Sequence, residues 1–190
     1  GWNWPSYFND TWSYDQRNNS WSQLVSGMGP SKRQYSMLAY DSRSDRVILY
    51  GGTDETATNL RDTWAYSYTS NKWTNMSPSS TPGFAGTKGI YDPASDRVII
   101  FGGSNGIGLS NETWAYDYES NSWGNLGAKN APAPRTSFGM AYDALTKEVI
   151  IFGGCLKWKN GTCETQTNET YSYDPATNTW TKVIAKASPS

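Results

Sequence analysis

VILYGG at 47–52 returns as VIIFGG at 98–103 and again as VIIFGG at 149–154. The Gly pairs begin at 51, 102 and 153, a constant spacing of 51 residues. A period of that length limits the fold, because each repeat is one supersecondary module that must bury its faces against neighbours. A second pattern travels with the first. NDTWSYD followed by NNSW recurs as RDTWAYS with SNKW, NETWAYD with SNSW, and NETYSYD with TNTW. Trp12, Trp64, Trp114 and Tyr171 then share a column, as do Tyr14, Tyr66, Tyr116 and Tyr173, and likewise Trp21, Trp73, Trp123 and Trp180. The first two columns are two residues apart, so they lie on one strand face, with Ala or Ser between them on the other.

SMLAYDSRSDRVILYGG, GIYDPASDRVIIFGG and MAYDALTKEVIIFGG precede the later copies. Each reads as an apolar strand, a turn rich in Asp, Pro and Ser, and a second apolar strand closed by Gly-Gly, which is a hairpin. No helical period interrupts these units. The expected fold is all-β, with four antiparallel strands per unit, numbered from the innermost first strand to the outermost fourth.

These residues resemble the Kelch-repeat β-propeller family. The matching signature is an apolar strand ending in Gly-Gly, then a Tyr and a Trp seven residues apart, as in Tyr66 and Trp73, Tyr116 and Trp123, or Tyr173 and Trp180. The resemblance implies a propeller with an N-terminal half blade at 1–24 holding the outer two strands. Full blades follow at 25–76, 77–126 and 127–184, then a tail at 185–190, together one propeller domain or part of one. Single-chain propellers close with about four to eight blades. The expectation is therefore part of a longer propeller or a homo-oligomer that completes the ring, an unusual small ring being the alternative.

Composition excludes several functions. Sixteen basic and seventeen acidic residues leave a net charge of −1, and no basic stripe exists for phosphate, so a nucleic-acid partner is not expected. No apolar run approaches the length of a membrane span. The chain has no His, which removes Ser-His-Asp and Cys-His chemistry and the usual zinc, copper and haem ligand sets. No catalytic residue, metal or cofactor is expected. Cys155 and Cys163 are the only cysteines and lie together in CLKWKNGTC. That span suits a disulfide staple, with two free thiols as the alternative. A bond there implies an oxidising compartment.

Antiparallel order puts the fourth-to-first and second-to-third connections of every blade on one face, and the sequence varies most there. The second-to-third segments read WNWPSYF, TDETATNL, SNGIGLS and CLKWKNGTCETQT. Trp2, Trp4 and Trp158 lie in them outside the repeated columns, as stacking surfaces for a sugar or anchors for a protein, or else packed on neighbouring loops. Arg33 and Arg135 share a column that Phe84 occupies in the middle blade. The family resemblance implies that these arginines face the central opening and help bind acidic partners. A salt bridge between blades or a carbonyl contact is the alternative, and Phe84 breaks any ring of charge. Of six Asn-x-Ser/Thr sequons, Asn160 in the long segment is the glycosylation candidate. The functional expectation is a non-catalytic binding or scaffold module for a protein or glycan, extracellular or at the cell surface. The alternatives are a structural segment of a larger extracellular assembly, or the non-catalytic part of a carbohydrate-active Kelch enzyme.

Overall fold

The computed structural model of the protein describes residues 2–3, 6–24, 28–159 and 162–184, with the side chains of 2, 3 and 6 excepted. Among the described residues it contains eighteen strands and no helix. Two short strands, β1 (Trp2–Asn3) and β2 (Ser6–Tyr7), pair with each other, and β3 (Thr11–Asp15) pairs with β4 (Ser20–Leu24) as a half blade. Blade 1 holds β5 (Met37–Asp41), β6 (Arg46–Tyr50), β7 (Thr63–Ser67) and β8 (Lys72–Asn75) in sequential order. Blade 2 repeats it with β9 (Lys88–Asp92), β10 (Arg97–Phe101), β11 (Thr113–Asp117) and β12 (Ser122–Asn125). Blade 3 uses β13 (Gly139–Asp143), β14 (Glu148–Phe152), β17 (Thr170–Asp174) and β18 (Thr179–Val183). Between its second and third strands stands a separate hairpin, β15 (Cys155–Lys159) with β16 (Thr162–Gln166). The sequence reading treats that segment as a loop; alternating polar and apolar residues around Trp158 let it pair instead.

Two reversals explain why each blade forms. In the first-to-second turns, Asp41 accepts hydrogen bonds from the Arg43 and Ser44 amides, and Asp92 does the same for Ala94 and Ser95. In the third-to-fourth turns, Asn19, Asn71, Asn121 and Asn178 all sit at φ between 49 and 54°, a left-handed conformation that Asn tolerates better than most residues. Each Asn side-chain oxygen accepts from the Tyr of its own repeat: Tyr14, Tyr66, Tyr116 and Tyr173. The nitrogen of Asn121 donates to the Met76 carbonyl and that of Asn178 to the Leu126 carbonyl, so the same residue ties one blade to the previous one.

The Gly-Gly pairs end the second strands for a steric reason. Gly103 has φ +104°, and a Cβ there would lie 2.8 Å from the Ala85 carbonyl oxygen. Only glycine lets the backbone leading into the same blade's first strand pass so close. This approach positions the bridges that join the start of each first strand to the residue after Gly-Gly: Gln34 with Thr53, Ala85 with Ser104, Thr136 with Cys155.

The core lies between blades. One apolar cluster joins Met37, Ile48 and Tyr50 of blade 1 to Val98, Ile100, Tyr116 and Trp123 of blade 2. A second joins Ile99 and Phe101 of blade 2 to Val149, Ile151, Tyr173 and Trp180 of blade 3. In the three full blades the fourth-strand indole reaches back and donates to the Thr that opens the third strand of the preceding unit. The pairs are Trp73 to Thr11, Trp123 to Thr63 and Trp180 to Thr113. Trp180 and Trp123 are 1% and 4% exposed, whereas Trp21 on the half blade is 65% exposed. The Trp column is therefore a joint between blades, and it is buried only where a preceding blade stands.

Candidate functional site

The face that gathers the fourth-to-first and second-to-third connections is built on two arginine clips. Arg33 is 4% exposed and Arg135 is fully buried. Arg33 makes a two-pronged ion pair with Asp62 and also donates to the carbonyls of Ser31 and Gly51. Arg135 donates to the carbonyls of Ala133 and Gly153 and to Glu169, and stacks 5.4 Å from the centre of the Tyr171 ring. Each guanidinium thus fastens a fourth-to-first connection to the second-to-third segment of the same blade. The family resemblance implies that this pair faces the central opening and helps bind an acidic partner; in the structure both side chains are buried and bonded within their own blade. Both guanidiniums lie inside the blade with their donors turned to carbonyls and carboxylates, the carbonyl alternative raised above. The ion pairs of these two arginines, with Asp62 and Glu169, lie within a blade and not between blades.

The carboxylates respond as the geometry requires. Burial pushes the pKa of Asp62 up, but hydrogen bonds from Arg33 and Trp64 and the charge of Arg33 outweigh it and hold Asp62 below the usual carboxylate range. Glu169 is also lowered, first by the hydrogen bond from Lys182, against burial, and then by Arg135. Phe84, half-buried, stands where the arginine would be in blade 2. Glu112, the carboxylate of that blade, accepts from the Trp114 indole.

On these clips the segments themselves are ordered by short local bonds. Asp54 accepts from the Thr56 and Thr58 amides, and Asn105 from those of Ile107 and Gly108. The long segment of blade 3 is held by the Cys155–Cys163 disulfide. Cys155 is buried at the base of the hairpin, and Lys157 pairs with Glu164 across it at 2.8 Å. Trp158, opposite Cys163, is 50% exposed. So the aromatic that the sequence singles out stands on a stiff, stapled hairpin. Trp2 lies in β1, of which only the backbone is described, and Trp4 and Asn160 lie outside the described residues.

Three exposed apolar residues on this face escape sequence reasoning: Met28, Tyr35 and Ile107. Tyr35 has φ 57° in the column held by Gly86 and Ser137, both also at positive φ. A bulky residue in that conformation is uncommon. An aromatic aligned with Gly and Ser is the signal that reveals it. A groove of about 300 Å³ lies elsewhere, between blades 2 and 3 on the opposite face, lined by Arg97, Leu126, Tyr173 and Asn178 among others. Its walls are the residues that join the blades, so it is a seam. Among the described residues, no group of three or more His, Cys, Asp or Glu is placed to hold a metal ion.

Reduction tests the staple directly. Alkylation of the native protein is expected to leave both cysteines unmodified, with modification only after reductant is added, read by intact mass. Closing so short a loop contributes roughly 2–3 kcal/mol in the chain-entropy model, so reduction should also speed amide exchange within β15 and β16 first.

Four-stranded blades packed side by side through buried aromatic columns, with variable segments gathered on one face, define a propeller of the binding-scaffold class. The KLHDC2/KLHL20/DRC7 Kelch-repeats domain matches residues 1–190, the whole chain, and the protein belongs to the Kelch-repeat family. Domains of this kind are generally protein-binding propeller modules without catalysis of their own. No curated protein matches the chain.

Proposed function

We propose that the protein is a non-catalytic binding module that takes a protein partner on the face carrying the disulfide hairpin, and that it works in an oxidising, extracellular setting. The observation that carries the reading is Trp158, a half-exposed indole on a hairpin held rigid by a disulfide and a cross-strand ion pair. A large aromatic fixed before binding loses little conformational freedom on contact, which is why such residues anchor interfaces. Tyr35, Ile107 and Met28 add apolar surface to the same face. The disulfide supports the compartment, since such bonds persist where thiols are not kept reduced. A glycan that stacks on Trp158 is the second reading, supported by the same ring.

The test is selection of binders from a displayed random-peptide library, alongside an array of glycans, with the wild-type protein as bait. Trp158→Ala is expected to weaken the selected peptides by about 1–3 kcal/mol without changing the melting temperature. Full affinity in that variant overturns the reading, and binding confined to the glycan array replaces the protein partner with a sugar.

A further inference from the structure

The two seams between full blades are built from the same columns and differ chiefly in one side chain. In the seam between blades 2 and 3, the groove of about 300 Å³ has Arg97, Ile99 and Leu126 on one wall and Tyr173, Pro175 and Asn178 on the other. In the seam between blades 1 and 2 those columns hold Arg46, Ile48 and Met76, then Tyr116, Tyr118 and Asn121. The backbones meet in the same way. Asn121 donates to the Met76 carbonyl at 2.6 Å, and Asn178 to the Leu126 carbonyl at 2.7 Å. Arg46 donates to the Ser44 and Asp45 carbonyls, and Arg97 to those of Ser95 and Asp96. Met76 and Leu126 are close in volume, so what separates the seams is Tyr118 in one and Pro175 in the other.

Tyr118 is half-buried and packs, beside Met76, against the apolar cluster that joins blades 1 and 2. Pro175 ends where a phenol would continue, and the groove stands in that place. The turn around it is of the same kind. Asp117 accepts from the Glu119 and Ser120 amides, and Asp174 from the Ala176 amide and the Thr177 hydroxyl. The groove is therefore framed by the residues that hold a phenol one blade earlier, with the phenol left out.

We infer that the groove binds a free, neutral aromatic ring, a phenol or an indole, in the place that Tyr118 fills one blade earlier. Charge selects this occupant. Arg97 lines the groove and pairs with Asp117 at 3.1 Å, so a carboxylate would have to displace Asp117 from the guanidinium, and an ammonium would be repelled by it. A neutral, electron-rich ring meets neither penalty, because a guanidinium is attracted to the face of such a ring. Volume sets the size. A space of about 300 Å³ is at the low end for small-molecule sites, room for one or two fused rings and too little for a run of peptide. The site lies on the face opposite Trp158 and is independent of the partner proposed there.

The probe is p-cresol, the tyrosine side chain as a free molecule, added to the 190-residue chain and followed by amide chemical shifts. Shifts at Leu126, Tyr173 and Asn178 are expected to saturate together, while Met76, Tyr116 and Asn121 of the filled seam stay in place. Pro175→Tyr puts a phenol into a column that already holds Tyr68 and Tyr118, and it should abolish the shifts. Arg97→Gln should weaken the probe about threefold, the loss of one exposed contact between a cation and a ring. Benzoate and benzylamine should bind more weakly than p-cresol. Tyr118→Ala should open a second site, adding shifts at Met76 and Asn121 to the first set, and Trp158→Ala should change nothing. Absence of saturable shifts at the groove overturns the inference, as does undiminished binding in a folded Pro175→Tyr protein. Undiminished binding in Arg97→Gln overturns it whether or not Pro175→Tyr folds. A tyrosine-containing peptide that binds where p-cresol does not would give the groove to a partner's side chain, and overturns it too.

Discussion

Trp123→Ala is expected to destabilise the protein by about 3–5 kcal/mol, the range for removal of a buried large aromatic, while Trp21→Ala costs less than about 1 kcal/mol, as surface changes do. The two residues occupy the same place in the repeat. Trp123 packs against Tyr50 of the preceding blade at 4.8 Å and Tyr116 of its own at 5.0 Å, and its indole donates to Thr63. Removing it opens a cavity in the cluster between blades 1 and 2 and leaves the buried Thr63 hydroxyl without that donor. Trp21 touches Tyr14 at 5.0 Å on the half blade and is otherwise open to solvent. Thermal or denaturant unfolding of both variants checks the contrast. Equal losses would mean that the column stabilises through its own strand pair and not through the joint between blades.

Arg135→Ala is expected to cost about 3 kcal/mol, near the lower end for breaking a buried ion pair. The lower end applies because Glu169 keeps Lys182 at 2.7 Å when the guanidinium is gone, so no unpaired buried carboxylate remains. What is lost is the pair of bonds to the Ala133 and Gly153 carbonyls, the Tyr171 contact and the volume of the side chain. Arg135→Lys should recover little, since an ammonium does not reproduce a planar fork aimed in three directions. Chemical denaturation of the two variants measures this. The loss should also be pH-dependent. Glu169 and Asp62 have folded-state pKa values below their unfolded ones, so their stabilisation is complete above the ordinary carboxylate pKa of about 4. It disappears as pH falls through the lowered folded values. Arg135→Ala should therefore make the acid limb only slightly shallower, since Lys182 still lowers Glu169 and Asp62 keeps Arg33 and Trp64.

The period of 51 residues, the Tyr and Trp columns and the Gly-Gly endings were enough to specify blades, their strand order and the face on which the variable segments meet. That information is local: strand alternation, turn residues and glycine conformation act over a few residues and repeat in register, so one dimension contains it. The cysteines were legible for the same reason, lying eight residues apart on one hairpin.

Tertiary structure decided the rest, and the arginines show why. Arg33 and Arg135 lie eighteen residues before the glycines whose carbonyls they bind, and 29 and 34 residues before their carboxylates. Nothing in the spacing says whether such a side chain turns outward to a ligand or inward to its own blade. That choice depends on carbonyls freed by the Gly-Gly turn, groups that exist only after the blade has folded. The Trp column holds the same lesson. Four identical positions look equivalent in sequence, yet Trp180 is buried and Trp21 is not, because burial belongs to the neighbour across the joint. The sequence by itself determined the module and its repeat; the packing of one module on the next decided which of its residues face water.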